Sequence, residues 1–139
     1  MSRLSLLFLL FITACDVQLP NASDVNLYGT WKWVQSTGGI GGTLYTAESE
    51  GYTATLILAE DHRYVVRQDQ EVVAEGRYHV ENTTTLPDLW MITFDGTANS
   101  ATHLYHSIRE QWIYRLDSSE LVLGDTCADC FNRSYTRRQ

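Results

Sequence analysis

The chain has 139 residues, of which 44% are hydrophobic, 12% aromatic and 19% charged. This length fits one domain, and the small numbers of Pro (2) and Gly (9) argue against a disordered or low-complexity chain. The formal net charge of −7, with Lys32 as the only lysine, argues against nucleic acid as a partner, because polyanion binding needs clustered basic residues.

The N-terminus has the pattern of an export signal. Arg3 precedes an apolar run from Leu4 to Ile12 that is too short to remain across a bilayer core of about 30 Å. The next residues, Ile12-Thr13-Ala14-Cys15, resemble the lipobox of bacterial lipoproteins. That resemblance implies that residues 1–14 are a cleaved signal peptide and that Cys15 becomes the lipidated N-terminus. The alternative is an ordinary cleaved signal with an incidental cysteine.

A lipidated Cys15 implies a membrane partner and a place in the bacterial cell envelope. Two or more acyl chains anchor a protein stably, and the polar segment that follows, residues 15–26, is predicted to tether the domain to them. Asp16 resembles the inner-membrane retention signal of enteric bacteria. Since that signal does not act in all bacteria, both the inner and the outer membrane stay open.

From residue 27 to residue 139 the pattern predicts one all-β domain. Short β-branched and aromatic runs alternate with polar turns, at residues 30–35, 52–59, 63–68, 72–80, 89–94, 102–108, 111–116, 121–123 and 131–136. In the first run Trp31, Trp33 and Gln35 are predicted to share a face. The short turns favour a single antiparallel up-and-down β-barrel of about eight strands with little helix, in preference to a sandwich.

The longest connection near the start of this domain is glycine-rich. It runs from Gly38 to Gly51, and Gly39, Ile40 and Gly41 lie at its start. Repeated glycine makes a mobile backbone, and Ile40 with Leu44 and Tyr45 could cover an apolar opening. We therefore consider this segment a candidate lid, with an uninvolved hairpin as the alternative.

The cysteines fit an exported chain. With Cys15 taken by lipid, Cys127 and Cys130 are predicted to form a local disulfide. Thioredoxin-type chemistry would need these cysteines at a helix N-terminus, and zinc would need further ligands. The sequence places the pair between two strand-like runs with no second such motif, so neither redox chemistry nor a metal site is expected.

Two ends of the domain resemble the calycin pattern, and specifically short bacterial lipocalin-like lipoproteins. The resemblance rests on Gly29-Thr30-Trp31 at the start of the first strand and on the C-terminal segment 129–138, which contains Arg133 and Arg137. It implies that Trp31 closes one barrel end, with Arg137 lying across the indole and Arg133 as the alternative partner. It also implies a cavity for a small apolar molecule. In this family the Trp–Arg pairing is structural.

Two function classes follow from these expectations. The first is non-covalent binding of a small hydrophobic or amphiphilic ligand, and the second is a ligand-free barrel that binds or inhibits a protein at the envelope. Candidate ligand-binding residues are aromatic, with a purely structural core role as the alternative: Trp33, Tyr64, Tyr78, Trp90, Trp112 and Tyr114. No catalytic constellation or cofactor motif is recognised, and His103 and His106 are predicted to face opposite sides of a strand.

Overall fold

The computed structural model describes residues 26–83, 89–98 and 109–139. The predicted signal peptide, Cys15, nearly all of the tether, the predicted strand at residues 102–108 and its two histidines lie outside these ranges. Within them the chain forms nine strands and one short helix, in this order: β1 (Gly29–Gly38), β2 (Thr43–Thr46), α1 (Ala47–Glu50), β3 (Ala54–Leu58), β4 (Arg63–Gln68), β5 (Glu71–Asn82), β6 (Trp90–Ala98), β7 (Glu110–Leu116), β8 (Glu120–Asp125) and β9 (Phe131–Arg137).

Eight of these strands close into an antiparallel barrel, which confirms the predicted fold class. Strands β1 and β3 to β9 pair in sequence order, and β9 returns to pair with β1. Closure leaves these eight strands without a free sheet edge. The remaining strand, β2, pairs with the last four residues of β1 and extends the sheet beyond one end of the barrel. We call this the hairpin end, and the opposite end, where β1 begins, the Trp31 end.

Alternation along the strands places one apolar set inside the barrel. Trp31, Leu56 and Val66 are successive register partners on β1, β3 and β4, and all three are fully buried. Such neighbours form one layer of a core, because side chains of directly paired residues project from the same face of a sheet. The buried core also contains Trp33, Leu58, Tyr78, Ile92, Leu121, Leu123 and Tyr135.

A β-bulge corrects the predicted inner face of β1. The register between β1 and β9 shifts between Trp33 and Gln35, so the alternation changes phase at that point. As a result Ser36 is fully buried, and Gln35 is not among the buried residues. Strict alternation predicted that Gln35 lies on the inner face of β1. The apolar pattern of this segment gives no sign of a bulge, so the sequence could not predict the change.

The segment predicted as a long connection is partly ordered into β2 and α1. Helix α1 has Thr46 as its N-cap, with reciprocal Thr46–Ser49 bonds, and it ends at Gly51 in a left-handed conformation. Several strands are also longer than predicted: β1 extends to Gly38, β5 to Asn82, β6 to Ala98 and β8 to Asp125. In the described ranges no helix is both long and apolar enough to cross a membrane.

Candidate functional site

The Trp31 end of the barrel is closed by a stacked pair. The Arg137 guanidinium lies 4.2 Å from the centre of the Trp31 ring, and the Trp31 Nε1 donates to the Leu27 carbonyl at 2.9 Å. Arg137 also donates from Nη1 to the Tyr28 carbonyl at 2.7 Å and from Nη2 to the Asn26 carbonyl. The structure thus brings together Trp31 and Arg137, and it places the alternative partner, Arg133, elsewhere.

Gly29 makes room for this pair. Its φ is +139°, and a Cβ built on it would lie 2.7 Å from the Arg137 Nη1. A side chain at this position would therefore meet both an unfavourable backbone conformation and the guanidinium. This geometry gives a physical reason for glycine two residues before Trp31.

The interior near the Trp31 end is filled by the protein's own side chains. Leu58 and Leu121 are fully buried in the same core cluster as Trp31, and the Tyr78 hydroxyl donates to the Ala59 carbonyl at 2.8 Å. Burial raises the pKa of Tyr78 to about 12, with smaller contributions from Tyr28 and Asp61. Of the candidate ligand-binding residues, Tyr78 therefore belongs to the packed core.

Three aromatic rings cover the interior at the hairpin end. Tyr45 is the register partner of the inward-facing Ser36, and its ring lies 5.5 Å from the ring of Phe131. Tyr52 stacks on the buried Trp33, with ring centres 5.8 Å apart. We call Tyr45, Tyr52 and Phe131 the aromatic cover.

The predicted lid glycines form the turn that carries this cover, but Ile40 is not part of it. Gly39 and Gly42 both have positive φ and form the β1–β2 turn, closed by a 3.0 Å bond from the Gly42 N–H to the Gly39 carbonyl. Ile40 is 94% exposed at the tip of that turn. The expectation that Ile40 covers the opening is wrong for this structure, because the turn directs its side chain to solvent and Tyr45 occupies the covering position.

Beneath the aromatic cover lies a buried polar cluster, which we define as Ser36, Gln111, Asp125 and Arg133. Arg133, whose side chain is 1% exposed, donates from Nη1 to the Asp125 Oδ1. Gln111 donates from Nε2 to the same oxygen at 3.2 Å, and the Phe131 N–H donates to Asp125 Oδ2 at 3.3 Å. Ser36 is the register partner of Arg133 and accepts from Trp33 Nε1 at 3.0 Å.

The remaining candidate aromatics divide between the two faces of the sheet. Tyr64 is buried and makes an edge contact with Phe94 at 4.9 Å, and Trp90 is the register partner of Ile113, which packs on the core. Trp112, in contrast, pairs with Met91 and Gly124. Trp112 directly follows the inward-facing Gln111, and Gly124 directly precedes the inward-facing Asp125. Trp112 therefore faces outward.

Tyr114 also lies outside the barrel. Its side chain is 53% exposed, and its ring covers the outer side of Gly124, where a Cβ would collide with it. The prediction that Trp112 and Tyr114 line the interior is wrong, because Gln111 and Ile113 take the inward positions on β7 and the alternating residues Trp112 and Tyr114 face outward.

The hairpin end also carries the disulfide and an acidic rim. Cys127 and Cys130 are bonded within the β8–β9 connection, as predicted. The pKa of Tyr52 is raised to about 12, first by burial and then by the charges of Glu50 and Asp69. Asp69 in turn accepts from both the N–H and the hydroxyl of Thr53.

The sequence did not single out the polar cluster as a site, although one signal for it was present. Arg133, Tyr135 and Arg137 are alternate residues of β9 and therefore face the same side of the sheet. An Arg137 that faces Trp31 thus implies that Arg133 also faces inward. Over residues 26–83, 89–98 and 109–139, no group of three or more His, Cys, Asp or Glu side chains could hold a metal ion. Neither a family model nor a curated protein matches this chain.

Proposed function

We propose that the protein is a lipid-anchored, lipocalin-like protein of the bacterial cell envelope that binds a small hydrophobic or amphiphilic molecule without covalent chemistry. The observation that carries this proposal is the hairpin end, where an aromatic cover lies directly over a buried polar cluster. Ligand pockets have this composition, with apolar and aromatic walls and a few convergent polar groups. At the Trp31 end the polar groups of Arg137 are already engaged by the Trp31 ring and by the Tyr28 and Ser118 carbonyls.

Binding requires that the aromatic cover moves. The polar cluster is buried beneath it, so a ligand reaches the interior only when Tyr45 and the β1–β2 turn are displaced. The turn contains Gly39 and Gly42 at positive φ, and its tip residue Ile40 makes little contact with the rest of the protein. Each Å² of apolar ligand surface removed from water would then contribute about 25 cal/mol.

Native mass spectrometry tests the ligand part of this proposal. The mature chain carrying Cys15→Ser needs no detergent, and the buried core residues of the described ranges lie between Trp31 and Tyr135, far along the chain from that substitution. The proposal expects a co-purified small molecule, or quenching of tryptophan fluorescence by an alkyl-chain probe. Absence of both would contradict it.

The anchor is tested separately. Globomycin blocks the peptidase that removes lipoprotein signal peptides, so treatment of the native host should accumulate an uncleaved precursor with residues 1–14 still attached. The variant Cys15→Ser should lose the lipid and leave the membrane fraction. A protein that is processed normally in the presence of globomycin would contradict lipidation at Cys15. Fractionation of the two membranes decides which one holds the anchor.

A second candidate function, protein binding at the envelope, has one specific observation in its favour. Met91, Trp112 and Tyr114 form an outward row across β6 and β7, and Tyr114 is largely exposed. Aromatic residues are enriched in protein interfaces. A photo-crosslinking amino acid at position 114 should then capture a defined envelope protein, and Trp112→Ser should abolish that product. An unchanged product in the variant would contradict this function.

A further inference from the structure

The polar side chains buried within the described barrel are contiguous and lie at one end. Ser36, Gln111, Asp125 and Arg133 are the buried polar or charged residues of this region, and the register of β1, β7, β8 and β9 makes them neighbours. The remaining buried core consists of hydrophobic and aromatic residues. The buried polar cluster lies at the hairpin end, whereas the guanidinium at the Trp31 end, that of Arg137, stacks on Trp31 and donates to backbone carbonyls.

The charges within the polar cluster cancel. Arg133 carries one positive charge and Asp125 one negative charge, and the two groups are in direct contact. Gln111 adds an amide that already donates to Asp125. An incoming carboxylate would meet Asp125 wherever it met Arg133, and an incoming ammonium would meet Arg133 wherever it met Asp125. Either ion would be buried without a net compensating charge, which is costly.

The outer rim adds to this selection against anions. Asp69 accepts from the N–H and the hydroxyl of Thr53, the residue after Tyr52, and Glu50 ends α1 two residues before Tyr52. Arg67, two residues before Asp69 in the sequence, directs its Nη1 to the Gln70 carbonyl. An anionic head entering past Tyr52 therefore approaches carboxylates before it reaches Arg133.

We propose that the ligand carries an uncharged, hydrogen-bonding head group, such as an alcohol or an amide, which is received by Arg133, Asp125 and Gln111. This inference rests on the proposed ligand-binding function and names the ligand class. A hydroxyl can donate to a carboxylate oxygen of Asp125 and accept from a guanidinium N–H of Arg133, so it needs no counter-ion. The alkyl part of the ligand then lies against Trp33 and the aromatic cover, which are apolar surfaces next to the cluster.

A head-group series tests this directly. Decyl alcohol, decanoate and decylammonium share one alkyl chain and differ in head charge. Binding to the mature Cys15→Ser chain is measured by calorimetry and by tryptophan fluorescence. We expect decyl alcohol to bind at least about tenfold more tightly than either ion, because only the ions bury a net charge.

Two variants assign the selectivity to the cluster. Asp125→Asn keeps the shape of the side chain but leaves Arg133 uncompensated, so decanoate should bind at least about tenfold more tightly than it binds the parent chain. Lys32→Gln removes one charge from an exposed position on the outside of β1 and is the matched control, for which the order of affinities should not change.

The possible results distinguish a failure of the neutral-head inference from a failure of ligand binding itself. Tightest binding of decanoate or decylammonium to the parent chain, or equal affinities for all three compounds, overturns the neutral-head inference and leaves ligand binding intact. Failure of all three to bind overturns both. The ranking on the parent chain stands even if Asp125→Asn does not fold, since it requires no substitution in the cluster.

Discussion

Arg137 and Trp31 are register partners on the last and first strands, and the guanidinium of one lies 4.2 Å from the ring centre of the other. The same guanidinium also donates through Nε to the Ser118 carbonyl at 3.0 Å and through Nη1 to the Tyr28 carbonyl at 2.7 Å. One side chain therefore joins the segment before β1, the β7–β8 turn and the Trp31 ring. The same arginine side chain therefore contributes both to barrel closure and to the capping of the Trp31 end.

Removing this guanidinium should destabilise the barrel. We expect Arg137→Met to lower the free energy of unfolding by about 1–3 kcal/mol, because it removes a cation–π contact and several hydrogen bonds. Arg137→Lys should recover only part of the loss, since an ammonium cannot present the same planar set of donors. Urea denaturation of the mature Cys15→Ser chain measures both.

The neighbouring arginine provides the control for that prediction. Arg138 is exposed, and its backbone N–H, which any residue retains, donates to the Thr30 carbonyl. Arg138→Met should therefore change the free energy of unfolding by no more than about 0.5 kcal/mol. Equal losses in the two methionine variants would mean that charge near the C-terminus, and not the contact with Trp31, is responsible.

Substitution of Gly29 should be costly for two reasons that act together. Gly29→Ala places a Cβ 2.7 Å from Arg137 Nη1 and holds alanine at a φ of +139°. We expect a loss of about 1–3 kcal/mol in the free energy of unfolding. Gly41→Ala is the matched control, because a Cβ there meets nothing within 4 Å. A neutral Gly29→Ala would show that Arg137 can move without loss, and the closure described for the Trp31 end would be wrong.

The sequence predicted the barrel because its strands are short, alternate cleanly and follow one another through short turns. Leu56 and Leu58 alternate with the less buried Thr55 and Ile57 on β3, and the observed burial follows that parity. The bulges after Trp33 and Ile113 could not be predicted, because an extra residue in one strand is specified by its pairing partner rather than by local pattern. Each bulge changed the facing of the residues that follow it.

Only part of the site could be predicted, because residue type and alternation do not fix which strands are neighbours or what covers their outer faces. Trp33 and Tyr64 lie inside as expected from their type and parity, whereas Tyr114, equally aromatic, lies across Gly124 outside the barrel. Aromatic character alone does not distinguish an inner wall from a ring that covers an outward-facing glycine. The Asp125–Arg133 pair joins two strands across a turn, and a contact of this kind appears only once the register of β8 and β9 is fixed.

The buried ion pair should be sensitive to the loss of one partner and tolerant of the loss of both. Asp125→Ala leaves Arg133 buried without its counter-charge, and we expect it to lower the free energy of unfolding by about 3–5 kcal/mol. The double variant Asp125→Leu with Arg133→Met should recover most of that loss, since it buries two apolar side chains in place of two charges. Chemical denaturation of the single and double variants gives the coupling. Additive losses would contradict the contact.

The buried tyrosines make stability fall at high pH. Tyr78 has a pKa raised from 10.0 to about 12 by burial, so the folded chain holds that proton over a range in which the unfolded chain releases it. Ionisation then favours the unfolded chain, and its contribution to stability declines between about pH 10 and pH 12. Denaturation curves on either side of pH 10 measure the slope, and ultraviolet absorbance reports tyrosinate formation.

Tyr78→Phe is the variant that tests this assignment. It removes the hydroxyl that donates to the Ala59 carbonyl, so its stability at neutral pH should be lower than that of the parent chain. Its further loss above pH 10 should nevertheless be smaller, because one late-titrating group is gone. An identical slope in both proteins would contradict the burial of this phenol.

Amide-shift NMR during a titration with decyl alcohol both detects the bound ligand and locates it at one end of the barrel. We expect saturable shifts at Tyr45, Tyr52 and Phe131 and at the polar cluster below them, with the resonances of Leu27 and Tyr28 at the opposite end unchanged. No shifts at all, or shifts confined to the outward row of Met91, Trp112 and Tyr114, would contradict it.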